Sequence, residues 1–144
     1  MRLQRRFEAW FVGFHRFVYV RTDGRVGHGM SGVPALILRT KGRRSGRPRT
    51  NVIVYARDGA DYVLVASNFG GEHSPAWYFN VSADPQVEVQ VRRKRIGGVA
   101  AAVNKGDPEY ERLWRLVNDA NKGRYDVYQK KTARLIPLVV VRPS

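Results

Sequence analysis

T-K-G-R-R-S-G-R-P-R-T-N-V-I-V-Y, residues 40–55, carries Lys41, Arg43, Arg44, Arg47 and Arg49 on a turn with glycines at 42 and 46, then passes into a β-branched run. Glycine lets a backbone approach an anion closely, and arginine offers a planar fork of donors that matches phosphate. Arg43, Arg44 and Arg49 supply such forks, and Ser45 adds a hydroxyl. A nucleotide phosphate loop needs G-x-x-x-x-G-K-[ST] with a helix after it. Here the spacing is absent and a strand follows, so the turn lies on the rim of a sheet or barrel. The residues say that an anion is held; they do not say which.

Outward from the turn, the elements alternate as strands and hairpins. Val33–Thr40 contains A-L-I-L and enters the turn as a strand; Asn51–Ala56 leaves it as another. Asp58-Gly59 signals a hairpin whose partner is Asp61–Ser67. Asn68–His73 is a glycine loop, and Ser74-Pro75 predicts a helix through P-A-W-Y-F-N-V, with serine as cap and proline in the first turn. Gln86–Arg92 alternates V-x-V-x-V, turns at Arg93-Lys94 and returns as Arg95–Asn104. Asp107-Pro108 opens a helix with the stripe Tyr110, Leu113, Trp114 and Val117; a short helix covers Tyr125–Ala133. Leu135–Val141 is a last strand whose Pro137 predicts an edge or a bulge. About six strands without βαβ alternation predict a mainly β, α+β architecture: a small antiparallel barrel with flanking helices.

The first 32 residues read as a separate segment before a barrel over 33–144, within one domain overall. Leu3, Phe7, Trp10, Phe11, Phe14, Phe17 and Val18 recur at helical spacing, with Arg2, Arg5, Arg6 and Arg16 among them. Such a helix docks on a core or lies on an anionic membrane surface. Gly27, Gly29 and Gly32 match G-x-G-x-x-G, but the pattern precedes a strand and Pro34, whereas the dinucleotide fingerprint follows a strand and opens a helix.

Composition narrows the chemistry. The absence of cysteine removes disulfides, thiolate metal sites and cysteine nucleophiles, and fits a cytoplasmic protein. His15, His28 and His73 are too scattered for a metal site, so none is expected. No run approaches the roughly 18 apolar residues of a membrane span. A net charge of +14 calls for a polyanionic partner. Nucleic acid is one such partner, but the aromatics sit on predicted helices rather than on alternating strand positions where bases would stack. Two further constellations follow the turn. Trp77 and Asn80 share a helix face and offer a flat surface and an amide; Tyr125 and Tyr128, beside Gln129, share another. Taken singly, each also fits an ordinary core.

Together these features resemble the deazaflavin-dependent nitroreductase family of actinobacteria, split β-barrel flavin/deazaflavin oxidoreductases. The resemblance rests on T-K-G-R-R-S-G-R-P-R at 40–49, D-G-A-D-Y-V-L-V-A-S at 58–67, P-A-W-Y-F-N at 75–80 and Y-D-V-Y-Q-K-K-T-A-R-L-I-P at 125–137. It implies coenzyme F420 as cofactor, with its phosphate and acidic tail held by Lys41, Arg43, Arg44, Ser45 and Arg49. It implies further that Asn51, Val52, Ala66, Ser67, Asn68, Ala76, Trp77 and Asn80 line the ring or its linker, and that Tyr125, Tyr128 or Ser67 delivers a proton. The implied reaction is hydride transfer from reduced deazaflavin to a quinone, nitroaromatic or other electrophile. Departures from the family pattern are R-R-S in the turn, Val52 where proline is common, Asn68 after the strand and Asn121-Lys122-Gly123 before the tyrosine pair; the last bears on substrate range more than on cofactor. A barrel carrying another flavin, haem or a fatty acid is the rival reading. Contact of residues 3–19 with the inner face of the cell membrane and homodimerisation are left open.

Overall fold

The computed structural model describes residues 33–144; the expected helix at residues 3–19 and the expected boundary at 32 lie outside the described residues. Seven strands form one sheet: β1 (Ala35–Lys41), β2 (Pro48–Val54), β3 (Ala56–Asp58), β4 (Asp61–Val65), β5 (Gln86–Val91), β6 (Lys94–Val103) and β7 (Leu138–Pro143). Their order is β2-β1-β5-β6-β7-β4-β3, with every neighbouring pair antiparallel. The two ends of that order are consecutive in sequence. β2 and β3 are separated only by Tyr55, which leaves both ladders and donates its N–H to the Pro34 carbonyl. One bent stretch, 48–58, thus serves both sheet ends, and the sheet curls into a split barrel. This bend is why seven strands form where the sequence predicts about six.

Strand alternation divides the apolar residues between two cores. Leu36, Leu38, Tyr62, Leu64, Val87, Val89, Val139 and Val141 point into the barrel, where they meet Tyr55, Trp77 and Val81. The alternate residues Val63, Val65, Leu138 and Val140 point outward and bury against Tyr110, Leu113, Val117 and Tyr125. These last come from α2 (Tyr110–Ala120) and α3 (Arg124–Lys130); α1 (Ala76–Ala83) supplies Trp77 and Val81 to the inner core. The two outer helices are laced together by polar bonds. The Asp126 backbone N–H donates to Asn118 Oδ1 (2.9 Å), and Trp114 Nε1 donates to Asp126 Oδ1 (2.7 Å).

Several expected details change. β2 begins at Pro48 rather than Asn51, which places Arg49 on the strand, opposite Thr40. The β5–β6 turn is at Arg92-Arg93, where Arg92 takes a left-handed φ of 56°. Neither predicted serine nor aspartate cap forms: Pro75 and Glu109 occupy the cap positions. Asp107 Oδ2 instead accepts the Asn104 N–H (2.7 Å), closing the loop before α2. Pro137 lies just outside β7, and β7 is an interior strand between β6 and β4. The proline ring therefore removes no ladder donor, while its carbonyl accepts from Ala66 N at 3.0 Å.

Candidate active site

The basic turn is closed by its own backbone and braced by α1. Gly42 donates to the Arg47 carbonyl and Gly46 to the Gly42 carbonyl, both at 2.8 Å. Gly46 takes φ +71°, a region cheap only for glycine. A methyl group on Gly42 would come within 3.0 Å of Ser45 Oγ and 3.1 Å of the Arg47 carbonyl, so the turn has no room there for a side chain. Ser45 Oγ accepts from the Arg47 N–H (3.2 Å) and from Arg49 Nη2 (3.3 Å). From α1, buried Asn80 reaches across: its Oδ1 accepts the Arg43 N–H (3.1 Å), and its Nδ2 donates to Thr40 Oγ1 (3.3 Å). Asn80 is thus the brace that sets the turn. Trp77, on the same helix, is buried in the inner core.

The cations themselves remain outside. Lys41, Arg43, Arg44, Arg47 and Arg49 are exposed. Among the described residues none of them pairs with a carboxylate; the ion pairs there are Arg39–Glu88, Lys105–Glu111, Arg112 with Asp58 and Glu109, and Arg142–Asp61. The Arg43 guanidinium lies over the exposed Phe79 ring, 4.8 Å from its centroid. Beside the turn, β2 is half-buried from Thr50 to Val54 although its partner β1 is nearly all buried. Asn51 and Val52 stand there opposite Leu38 and Ile37.

The second wall is the segment after β4. Ala66 and Ser67 are buried, and a 3-10 turn over Asn68–Gly70 follows. Asn68 and Phe69 both take left-handed φ, 46° and 57°. The Asn68 side chain ties the loop by donating to the His73 carbonyl at 3.0 Å. Phe69 meets the Tyr128 ring edge-on, at 6.0 Å between centroids, and Tyr128 in turn meets Tyr125 at 6.3 Å. The two tyrosines differ in environment. Tyr125 is buried in the outer core, and desolvation pushes its phenol up to about 12 even though a hydrogen bond with Asn121 opposes the shift. Tyr128 is half-buried. α1 joins the two walls, since Ala76 at its exposed start follows the loop and Asn80 at its centre braces the turn.

The structure thus groups Lys41, Arg43, Arg44, Ser45, Arg49 and Asn80 about the basic turn, and Ala66, Ser67, Asn68 and Tyr128 about the loop after β4. Two residues with structural work at the site, Phe79 and Arg134, escape sequence reading, and Gln129, noted there only as a neighbour of the tyrosine pair, has bonds that the sequence does not show. Phe79 carries the Arg43 stack. Arg134 holds the loop through four acceptors, and Gln129 fastens the segment before β7 to the Arg134 carbonyl and the Ile136 N–H. Each is one ordinary residue inside a motif block, with no local pattern to mark it.

A profile of the F420H(2)-dependent quinone reductase family matches residues 12–143. The chain belongs to that family. An F420H(2)-dependent quinone reductase of Mycobacterium tuberculosis is 44% identical over 140 residues, covering 96% of this chain and 94% of its relative. Among solved structures, an F420-H2 dependent reductase superposes with a TM-score of 0.68 at 35% identity, over 76% of this chain and 94% of that one. A second solved structure, described as a domain-swapped dimer, gives 0.70 at 31% identity over 94% of this chain and 98% of that one. A haem storage protein from Vibrio cholerae shares the fold alone, at 15% identity and a TM-score of 0.59 over 76% of this chain and 81% of that one. The reductase is therefore an F420-dependent oxidoreductase that reduces quinones, built on a split barrel. The nucleic-acid reading of its charge is set aside.

Proposed function

We propose that the reductase holds the phosphate and acidic tail of F420 on the Gly42–Arg47 turn, through Arg43, Arg44, Ser45 and Arg49 with Lys41 alongside. The supporting observation is the donor set itself: exposed cations without carboxylate partners among the described residues, on a turn braced by a buried amide. The half-buried flank of β2 at Asn51 and Val52, together with Ala66, Ser67, Asn68 and Ala76, then lines the ring; Trp77 supports that groove from the core. Bound F420H2 supplies the hydride, and the protein supplies position and charge. Tyr128 is our candidate to give the proton to a reduced quinone, because it is half-buried whereas Tyr125 is buried in the outer core. Ser67 is the second hydroxyl at that wall.

Quenching of tryptophan fluorescence by added F420 tests the cofactor. The expected result is saturable binding at micromolar concentration; no binding there removes the proposal. Replacing Arg43, Arg44 and Arg49 with alanine is expected to weaken affinity by at least about tenfold, as each charged hydrogen bond contributes on the order of 1.5–3 kcal/mol. The loss is expected to shrink at high salt. Unchanged affinity would put the phosphate elsewhere.

The same chemistry extends to nitroaromatic compounds as incidental electrophiles, read by F420H2 oxidation in their presence. Residues 3–19, with arginines among aromatics, fit an anionic membrane surface in a cytoplasmic protein whose substrate is lipid-soluble. Vesicle flotation tests this, and its failure with anionic lipid removes the membrane role. The domain-swapped relative supports a homodimer, for which sedimentation is the measurement.

A further inference from the structure

Arg134 sits in T-A-R-L, between α3 and β7, and its side chain is half-buried. All of its side-chain hydrogen bonds go to the segment 66–74. Nε donates to the Gly71 carbonyl (2.8 Å) and Nη1 to Ser74 Oγ (3.1 Å). Nη2 donates to the carbonyls of Ala66 (3.1 Å) and Ser67 (2.7 Å). Every acceptor is neutral, and among the described residues no carboxylate answers the charge. Isolating a cation in this way is unfavourable unless its hydrogen bonds are fully used.

The loop it grips has an unusual backbone. Asn68 and Phe69 both adopt left-handed φ, and for a bulky residue such as phenylalanine that conformation persists only where the surroundings impose it. On the far side, Gly70 (φ +79°) lies so near the Tyr128 carbonyl that an added Cβ would approach to 2.7 Å. The loop is therefore pinned from two directions: Arg134 holds its carbonyls, and α3 presses on Gly70. The hydroxyl of Ser67 and the Phe69–Tyr128 ring contact take their places from that pinning.

We infer that Arg134 is a positioning residue for quinone reduction, fixing the loop that carries Ser67, Asn68 and Phe69 against Tyr128. This rests on the functional reading above, in which that wall faces the reacting partners. The Arg134 guanidinium is bonded to the loop carbonyls and Ser74, so it acts through them. Its contribution is orientation, and displacement of reacting groups by about 1 Å costs up to about a hundredfold in rate. Binding of the phosphate, at the separate Gly42–Arg47 turn, does not depend on it.

The test uses the full chain, F420H2 and a soluble naphthoquinone at matched ionic strength. Arg134→Ala is expected to keep F420 affinity within about threefold and to lose kcat by about tenfold or more. Added methylguanidinium, which restores the fork, is expected to recover part of that kcat, while an equal concentration of sodium chloride does not. Arg134→Lys keeps the charge but not the four-way geometry, so its kcat falls as well. It also serves if the alanine variant does not fold. Unchanged kcat in either variant overturns the inference. So does parallel loss of F420 affinity, kcat and melting temperature without guanidinium rescue, which marks a purely structural arginine. If the unaltered protein itself binds no F420, the functional reading falls instead, and the two failures are told apart by that first titration.

Discussion

At the scale of single residues, Asn80 shows how one side chain is assigned by its neighbours. As the fifth residue of a helix following P-A-W-Y-F it is free to face a ligand. In the fold both ends of its amide are used on the basic turn, 37 and 40 residues away in sequence. Asn80→Ala leaves the Arg43 N–H and the Thr40 hydroxyl without their partner. The expected loss is about 1–3 kcal/mol of stability, together with weaker F420 binding. Urea denaturation alongside the fluorescence titration measures both. A variant that loses stability but binds cofactor as well as the parent would show that the turn does not need its brace. Arg134 belongs to the same class: bonds that span 60 to 68 residues define its role, and nothing within T-A-R-L indicates them.

At the scale of elements, α2 separates two kinds of contact that adjacent residues make. Arg112 forms a bidentate pair with Asp58 at the β3–β4 hairpin, with distances of 2.9 and 3.0 Å. The pair holds the Asp58 carboxyl below its usual range, yet it lies at the surface, where such pairs contribute little. Leu113, next to it, is fully buried in the outer core. Leu113→Ala is expected to cost about 2–5 kcal/mol, while Arg112→Ala leaves the thermal midpoint nearly unchanged. Thermal melts of the two variants make the comparison, and equal shifts would contradict the division of labour. The helix itself was readable because Tyr110, Leu113, Trp114 and Val117 repeat at its period. Its cap was not, since Asp107 is equally able to close the preceding loop. Pro137 misled as an edge-strand signal for a related reason: proline announces where a ladder cannot continue, and here the ladder starts one residue later.

At the scale of the whole molecule, titration links the outer core to stability. Tyr110 and Tyr125 have phenols pushed up from 10.0 to about 12, in both cases chiefly by desolvation. In the unfolded chain these groups ionise near 10.0, so between that pH and about 12 the unfolded state loses protons that the folded state keeps. A raised folded pKa means that this stabilisation is complete below 10 and is lost as pH rises toward 12. The expected result is a falling melting temperature over that window, with two tyrosines appearing late in the ultraviolet titration. A flat profile from pH 9 to 12 would contradict it. Charge also acts at this scale. With a net charge of +14, cofactor affinity is expected to decline with ionic strength even where the turn is intact.

The sequence alone determined what depends on neighbouring residues. Alternation over Gln86–Arg92 marks a half-buried strand, Asp58-Gly59 signals a hairpin, and glycines spaced among arginines make a cationic turn. Four ordered motif blocks pointed to a family to which the chain belongs. Tertiary structure decided the rest. It buried Tyr125 and left Tyr128 half-open, bent residues 48–58 at Tyr55 so that one stretch serves both ends of the sheet, and set Asn80 and Arg134 on partners across the barrel. The physical reason is one of range. Periodicity and turn chemistry act over a few residues, whereas a buried amide or guanidinium must satisfy its donors wherever the closed sheet brings acceptors.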